Sequence, residues 1–245
     1  MMSRKRNDES NSQLATRNSQ LTPLLCASAL TTLLTAAALH APMFNDSLKN
    51  LMPILRDNFW LGVHVISIVG GYGTAMLAWA LGAAALCAFT VGKYATDESG
   101  VVVPPAITST LSRLMYLCIP ATIWLLAIGI ILGGLWADVS WGRFWSWDRK
   151  EVWALISMFV YLIFVHARHW GWFKRNRDMT MALTSVFGAL AILMAWYGVN
   201  YLLGSAMHGY ASGSGGLVPA LAFAGANVVL TVMALIRYGL AGKNS

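Results

Sequence analysis

Cysteine is scarce in this chain of 245 residues, and so is charge. The three cysteines, Cys26, Cys87 and Cys118, each sit inside an apolar run and form no CxxC pair, so they read as small buried hydrophobes. A dithiol for redox work is therefore excluded. Only 11% of residues are charged against 57% hydrophobic. An ordinary soluble domain carries about 25% charged residues, which excludes that class. The net charge of +7 does not imply nucleic acid. The basic residues lie in short clusters between apolar runs, with no basic stripe interleaved with aromatics. P-loop, HExxH and nucleophile–base–acid patterns are missing as well. Gly213 to Gly216 form a flexible ASGSGG stretch without the strand and helix that phosphate binding requires.

What is present is a series of long apolar runs. Six are long enough to cross a bilayer, which needs about 20 residues: Leu24 to Ala41, Gly70 to Val91, Leu114 to Leu135, Val152 to Arg168, Met179 to Leu203 and Leu217 to Ile236. Backbone polar groups must be satisfied internally in lipid, so these runs predict helices and an all-α, polytopic membrane bundle of about six spans. Residues 1–23 form a polar tail, and 24–245 form the membrane-embedded domain. The long polar tail ahead of Leu24 favours a first span over a signal peptide's core. Starting inside, twelve basic residues from Arg4 to Lys243 fall on the inner side, against five (Lys49, Arg56, Arg143, Arg149 and Lys150) on the outer. The positive-inside rule thus places both termini in the cytoplasm of a cell-membrane protein. The apolar pattern of the second run already begins at Trp60. A helix from Trp60 to Val91 is about 48 Å long, more than the ~30 Å hydrocarbon core, so its outer end projects. Trp60, His64, Ser67 and Gly71 share one face of it, and Gly70, Gly71 and Gly73 permit close helix approach.

Between the third and fourth runs lies GGLWADVSWGRFWSWDRKEVW, placed on the outer side. It holds Trp136, Trp141, Trp145, Trp147 and Trp153, five of the chain's eleven tryptophans. Tryptophan favours membrane interfaces, so an aromatic belt is one reading. A floor for a large planar apolar ligand bearing carboxylates is the other, since Asp148, Lys150 and Glu151 are woven among the rings. Asp148 and Glu151 read as polar anchors of the loop, with Glu151 favouring the start of the next helix. His64 and His208 lie on the same outer side. Each alone suits a structural histidine, whereas together with an aromatic floor they suit bis-histidine haem ligation. His166 lies within the fourth run, where an ionisable residue points to function. His169 reads as interfacial, and His40, closing the first run, has no ligand role.

WGRFWSWDRKEVWALI resembles the WWD signature of the haem-handling proteins that assemble c-type cytochromes, and within them the CcsA/ResC-type cytochrome c assembly proteins of system II. Three further segments agree in order. WLGVHVISIVGGYG is similar to the family's helix with an outer histidine, here His64. FVHAR resembles the segment with the intramembrane histidine, here His166. YGVNYLLGSAMHGY resembles the segment with the second outer histidine, here His208. The likeness covers roughly residues 60 to 212. Arg149 stands where the family has proline, and Gly209 where it has serine.

The resemblance implies that His64 and His208 ligate haem b on the outer (periplasmic) face, while the loop with Trp136, Trp141, Trp145, Trp147, Asp148 and Trp153 presents the porphyrin edge. Thiols of an apocytochrome c CxxCH then add to the haem vinyls. A CcsB/ResB-type partner binds the apocytochrome and supplies the histidine that completes an inner haem site with His166. The chain would thus be a haem-delivery subunit of a cytochrome c synthase. The intact WDRKE and GVNYLLG stretches argue against a CcmC-type handler that loads a haem chaperone. A transporter would carry charges along its spans, and a b-type electron-transfer subunit would carry two histidines at matched depth; here His166 stands alone within a span.

Overall fold

The structure is a computed structural model that describes residues 32, 59–98, 100–171, 176–203 and 216–242. All but the first of these belong to one compact unit, residues 49–245. Five helices dominate that unit: α1 Phe59–Val91, α2 Ile107–Trp141, α3 Arg149–His169, α4 Arg177–Leu203 and α5 Leu217–Ala241, each long and apolar enough to cross a membrane. The predicted first span, 24–41, lies outside the described residues apart from Thr32. One departure from a purely helical chain is a two-residue antiparallel pairing of β1 Ala95–Thr96 with β2 Val102–Val103. Gly100, at φ 79°, turns this hairpin, and Asp97 Oδ1 accepts from Val101 N at 2.8 Å.

All five helices outrun their apolar runs, α1 and α2 by the most. α1 starts at Phe59, as the pattern from Trp60 anticipates. α2 extends the predicted third span at both ends, because helix hydrogen bonding continues through the polar ITSTLSR and through WADVSW after hydropathy has fallen. It stops at Gly142, whose left-handed φ of 71° closes the helix with an N–H to the Asp138 carbonyl. Trp136 and Trp141 are consequently helical, and the outer loop shrinks to residues 142–148.

Small residues set the packing. Gly71, Ala75, Ala78, Gly82, Ala85 and Phe89 repeat every three or four positions along α1 and are all buried. A Cβ on Gly82 would stand 2.7 Å from the Ser185 side chain and 3.1 Å from the Ala182 carbonyl of α4, so only glycine admits that approach. α2 runs antiparallel to α1: Gly71 meets Leu126, Gly129 meets Ile68, and Gly133 meets His64. Polar bridges inside the apolar bundle are satisfied pairwise, Thr74 Oγ1 with Thr122 Oγ1 at 2.9 Å and Trp79 Nε1 donating to Asn227 Oδ1 at 2.8 Å. Each such bond is worth about 0.6 kcal/mol between membrane helices. α4 is the central element, with 61% of its most apolar stretch buried against 17% for α5. Leu117, Trp124 and Val218 point outward from the bundle. So much exposed apolar surface suits lipid, and no water-facing domain tolerates it.

The antiparallel arrangement gives the bundle two ends. His64, residues 142–148, the start of α3 and the end of α4 share one. The hairpin, the start of α2, the end of α3 and the start of α4 share the other. Among the described residues, the first end carries Arg143, Arg149 and Lys150, and the second carries Lys93, Arg113, Arg168, Arg177 and Arg237.

Candidate functional site

At the first end, His64 sits half-buried between α1 and α2. Its Nδ1 lies 2.7 Å from the Gly129 carbonyl oxygen. A carbonyl can only accept, so Nδ1 carries the proton and the ring's lone pair is on Nε2, the tautomer required of an Nε2 metal ligand. Room for the ring comes from Gly133, where a Cβ would stand 2.7 Å from both Nδ1 and Cε1 of His64. A neighbouring cavity of about 100 Å³ is lined by His64, Ile68, Tyr72, Trp136, Phe144, Trp145, Lys150 and Glu151, among others. Phe144 folds back onto α2, its ring occupying the space a side chain on Gly134 would take.

The short loop is held by one carboxylate. Glu151 accepts from Ser146 N at 2.9 Å, from Ser146 Oγ at 3.1 Å and from Asp148 N at 3.2 Å. Asp148 caps α3 in return, its side chain accepting from Lys150 N at 3.1 Å. The pair forms a reciprocal capping box. The two anchored residues flank Trp147 and hold it at φ 60°, a left-handed conformation costly for a bulky side chain. Trp147 is 73% exposed and stands perpendicular to Trp145, with ring centroids 5.8 Å apart. Trp141 packs against the buried Trp136 at 4.7 Å.

The last ten residues of α4, Met194–Leu203, are π-helical. Such widened turns concentrate at functional sites. Two bonds tie this segment to the start of α3: Lys150 Nζ donates to Asn200 Oδ1 at 3.1 Å, and Arg149 Nη1 donates to the Leu203 carbonyl at 2.6 Å. Arg149 is the first residue of α3, a position where proline is also at home because that N–H has no helical partner. The departure from the WWD pattern therefore leaves the helix start intact and adds a tether.

Comparison with known proteins decides the family. The family model described as cytochrome C assembly protein matches residues 10–207. The cytochrome c biogenesis protein CcsA of Synechococcus sp. (strain RCC307) is 34% identical over 222 residues, covering 81% of this chain and 70% of the relative. CcsA of Prochlorococcus marinus (strain MIT 9313) is 32% identical over 226 residues, covering 81% and 69%. Protein NrfI of Wolinella succinogenes is 34% identical over 174 residues, which is 71% of this chain and 18% of NrfI; the chain thus spans under a fifth of that protein. The chain belongs to the CcsA-type cytochrome c assembly proteins. With its five apolar helices, it is a multi-pass membrane protein.

In this CcsA-type protein the residues singled out by sequence are distributed unevenly. His64, Trp136 and Trp145 line one cavity, with Trp141, Trp147 and Asp148 beside its lining residues. Trp153 lies one turn into α3 and does not line it. His208 lies outside the described residues, as does His40. His166 is near the opposite end, exposed on the outside of the bundle, with Nδ1 2.8 Å from the Leu162 carbonyl and its ring 6.1 Å from that of Trp170. His166 falls in the last turn of α3, three residues before its end at His169. Sequence reasoning missed Phe144 and the Gly133–Gly134 pair. The signal available was the GG directly before Leu-Trp, which marks a helix surface open to a ring.

Proposed function

We propose that this chain binds haem as a substrate at the His64 end, on the outer face of the cell membrane, and presents it for attachment to an apocytochrome c. The observation that carries the reading is the His64 imidazole, fixed by the Gly129 carbonyl beside a cavity walled by Trp136, Phe144 and Trp145. An aromatic wall, a histidine with Nε2 basic and a single ammonium from Lys150 match the demands of a flat apolar ring with an iron and carboxylates. At about 100 Å³ the cavity admits an edge of the macrocycle, whose remaining plane would lie along the exposed Trp147. His208, which lies outside the described residues, would supply the second ligand to the iron. The chemistry of attachment is addition: each cysteine S–H adds across a vinyl double bond, sulfur to one carbon and hydrogen to the other, with no net redox change. The chain's part is to hold the ring and leave its vinyl edge reachable.

His166 belongs to a second place. Ile156, Phe159, Ile163, His166 and Trp170 recur every three or four residues on α3 and are all exposed. Such a stripe suits a helix of a CcsB/ResB-type partner, which would bring the other histidine of an inner haem site. Six spans with both termini inside, residues 1–23 as the cytoplasmic tail, complete the topology; the excess of basic residues at the Arg168 end supports that orientation. A b-type electron-transfer subunit is disfavoured, because His64 and His166 lie near opposite ends of the bundle. The test is the haem content and absorption spectrum of the purified full chain with its partner. A His64→Ala, His208→Ala double variant is expected to lose the haem held at the His64 end, lowering the bis-histidine absorbance, and to lose cytochrome c maturation. Unchanged haem and maturation would sink the reading.

A further inference from the structure

At the end opposite His64, all five described helices converge on a second cavity of about 330 Å³. Among the described residues its lining includes Arg113 of α2, Arg168 of α3 and Arg177 of α4, with Asp178 as the one carboxylate, a net charge of +2. Arg168 is positioned: its guanidinium carbon lies 4.5 Å over the Tyr116 ring, and its buried Nη1 has no hydrogen-bond partner among the described residues. The start of α4 lies in the lining, through Asn176, Arg177 and Asp178, and that of α2 contributes Ser109 and Ser112. Neither helix has a side-chain cap, so their first N–H groups add positive potential. Nothing in the reading of the His64 site uses these groups.

The geometry points to a binding site for a phosphate group here, held by Arg113, Arg168 and Arg177. Guanidinium forks match phosphate oxygens in pairs, and three of them from three helices clamp the bundle at that end. The phosphate belongs either to an anionic phospholipid headgroup, since the cavity lies at the ends of apolar helices, or to a soluble phosphate.

The test uses the full chain and two probes. Native mass spectrometry reads phosphatidylglycerol retained by the protein on release from mixed phosphatidylglycerol–phosphatidylcholine nanodiscs. Calorimetric titration of inorganic phosphate into the protein in pure phosphatidylcholine nanodiscs reads the soluble source. Retention, or phosphate affinity, is expected to fall at least about tenfold in Arg168→Gln and in Arg177→Gln, because each removes a charge-assisted contact. Arg143→Gln, at the other end, is expected to match wild type, and Arg168→Lys to keep part of the binding. Variant-sensitive lipid retention assigns the site to the headgroup, and variant-sensitive phosphate binding assigns it to the soluble anion. If neither probe responds to the arginine variants, the site does not exist. Arg177 is exposed, so its variant decides the matter even if Arg168→Gln fails to fold.

Discussion

Gly133→Ala separates the geometry of His64 from its mere presence. The added Cβ would lie 2.7 Å from His64 Nδ1 and Cε1, against about 3.4 Å for an ordinary contact, so the ring must retreat by about 0.7 Å. That displacement acts on the 2.7 Å bond from Nδ1 to the Gly129 carbonyl, which sets both tautomer and ring direction. Overpacking costs ~1–3 kcal/mol, and a neutral hydrogen bond contributes ~0.5–1.5 kcal/mol. Loss of a partner that orients a metal ligand weakens affinity about 10–100-fold. The assay is a haem titration of the purified full chain followed by absorbance, beside thermal unfolding followed by helical circular dichroism. Gly70→Ala, at the same α1–α2 interface, is the control, because its Cβ would find Leu125 at an ordinary 3.6 Å. Haem binding about 10–100-fold weaker in Gly133→Ala and unchanged in Gly70→Ala is the expected outcome. Wild-type haem affinity in Gly133→Ala would refute the role given to the ring's orientation, and equal losses in both variants would trace the effect to helix packing.

Three further outcomes are expected. Glu151→Ala removes the acceptor of three bonds from Ser146 and Asp148, each worth ~1.5–3 kcal/mol as a bond to a charged group; amide exchange across 145–152 should accelerate and haem retention should fall, and unchanged exchange would contradict the carboxylate's role. Arg149→Pro should leave α3 helical while exchange at 199–203 speeds up, since the tether to the Leu203 carbonyl is lost; unaltered protection there would mean the tether holds nothing. Tyr161 is fully buried with a hydroxyl that has no hydrogen-bond partner among the described residues, so Tyr161→Phe should raise the melting temperature by relieving ~1–3 kcal/mol of desolvation; a lowered midpoint would show that the hydroxyl is satisfied.

The five described helices were legible because membrane spans are written in hydropathy, and α1 even in its early start, since the apolar pattern begins at Trp60. Their polar extensions were not. Residues 107–113 and 136–141 continue helices by backbone hydrogen bonding, a property that hydropathy does not report. This is why Trp136 and Trp141 read as loop. Asp148 and Glu151 read as polar anchors because they stand among the rings just ahead of an apolar run; the structure makes them a capping box at its three-residue spacing. The place of Phe144 was not, because it depends on a glycine ten residues earlier on another element. The tie from Arg149 to Leu203 joins residues 54 apart in sequence, beyond any local pattern.

Departures from local preference gather where the chemistry is proposed. Trp147 at positive φ, the π-helical end of α4 and a lysine turned toward a mostly apolar cavity all occur within the His64 end. Each is disfavoured alone and persists because Glu151, Asn200 and the Leu203 carbonyl hold it. The distance between ends limits what that site can share with His166. Lys150 lines the His64 cavity, and His166 follows it by 16 residues of continuous helix, about 24 Å at the helical rise. No single iron reaches both. If both histidines bind haem, they do so in two places, and ligand transfer between them must pass along the bundle or its partner. A single bis-histidine signal that survives His64→Ala and disappears with His166→Ala would therefore place the retained haem at the far end and count against haem held at His64.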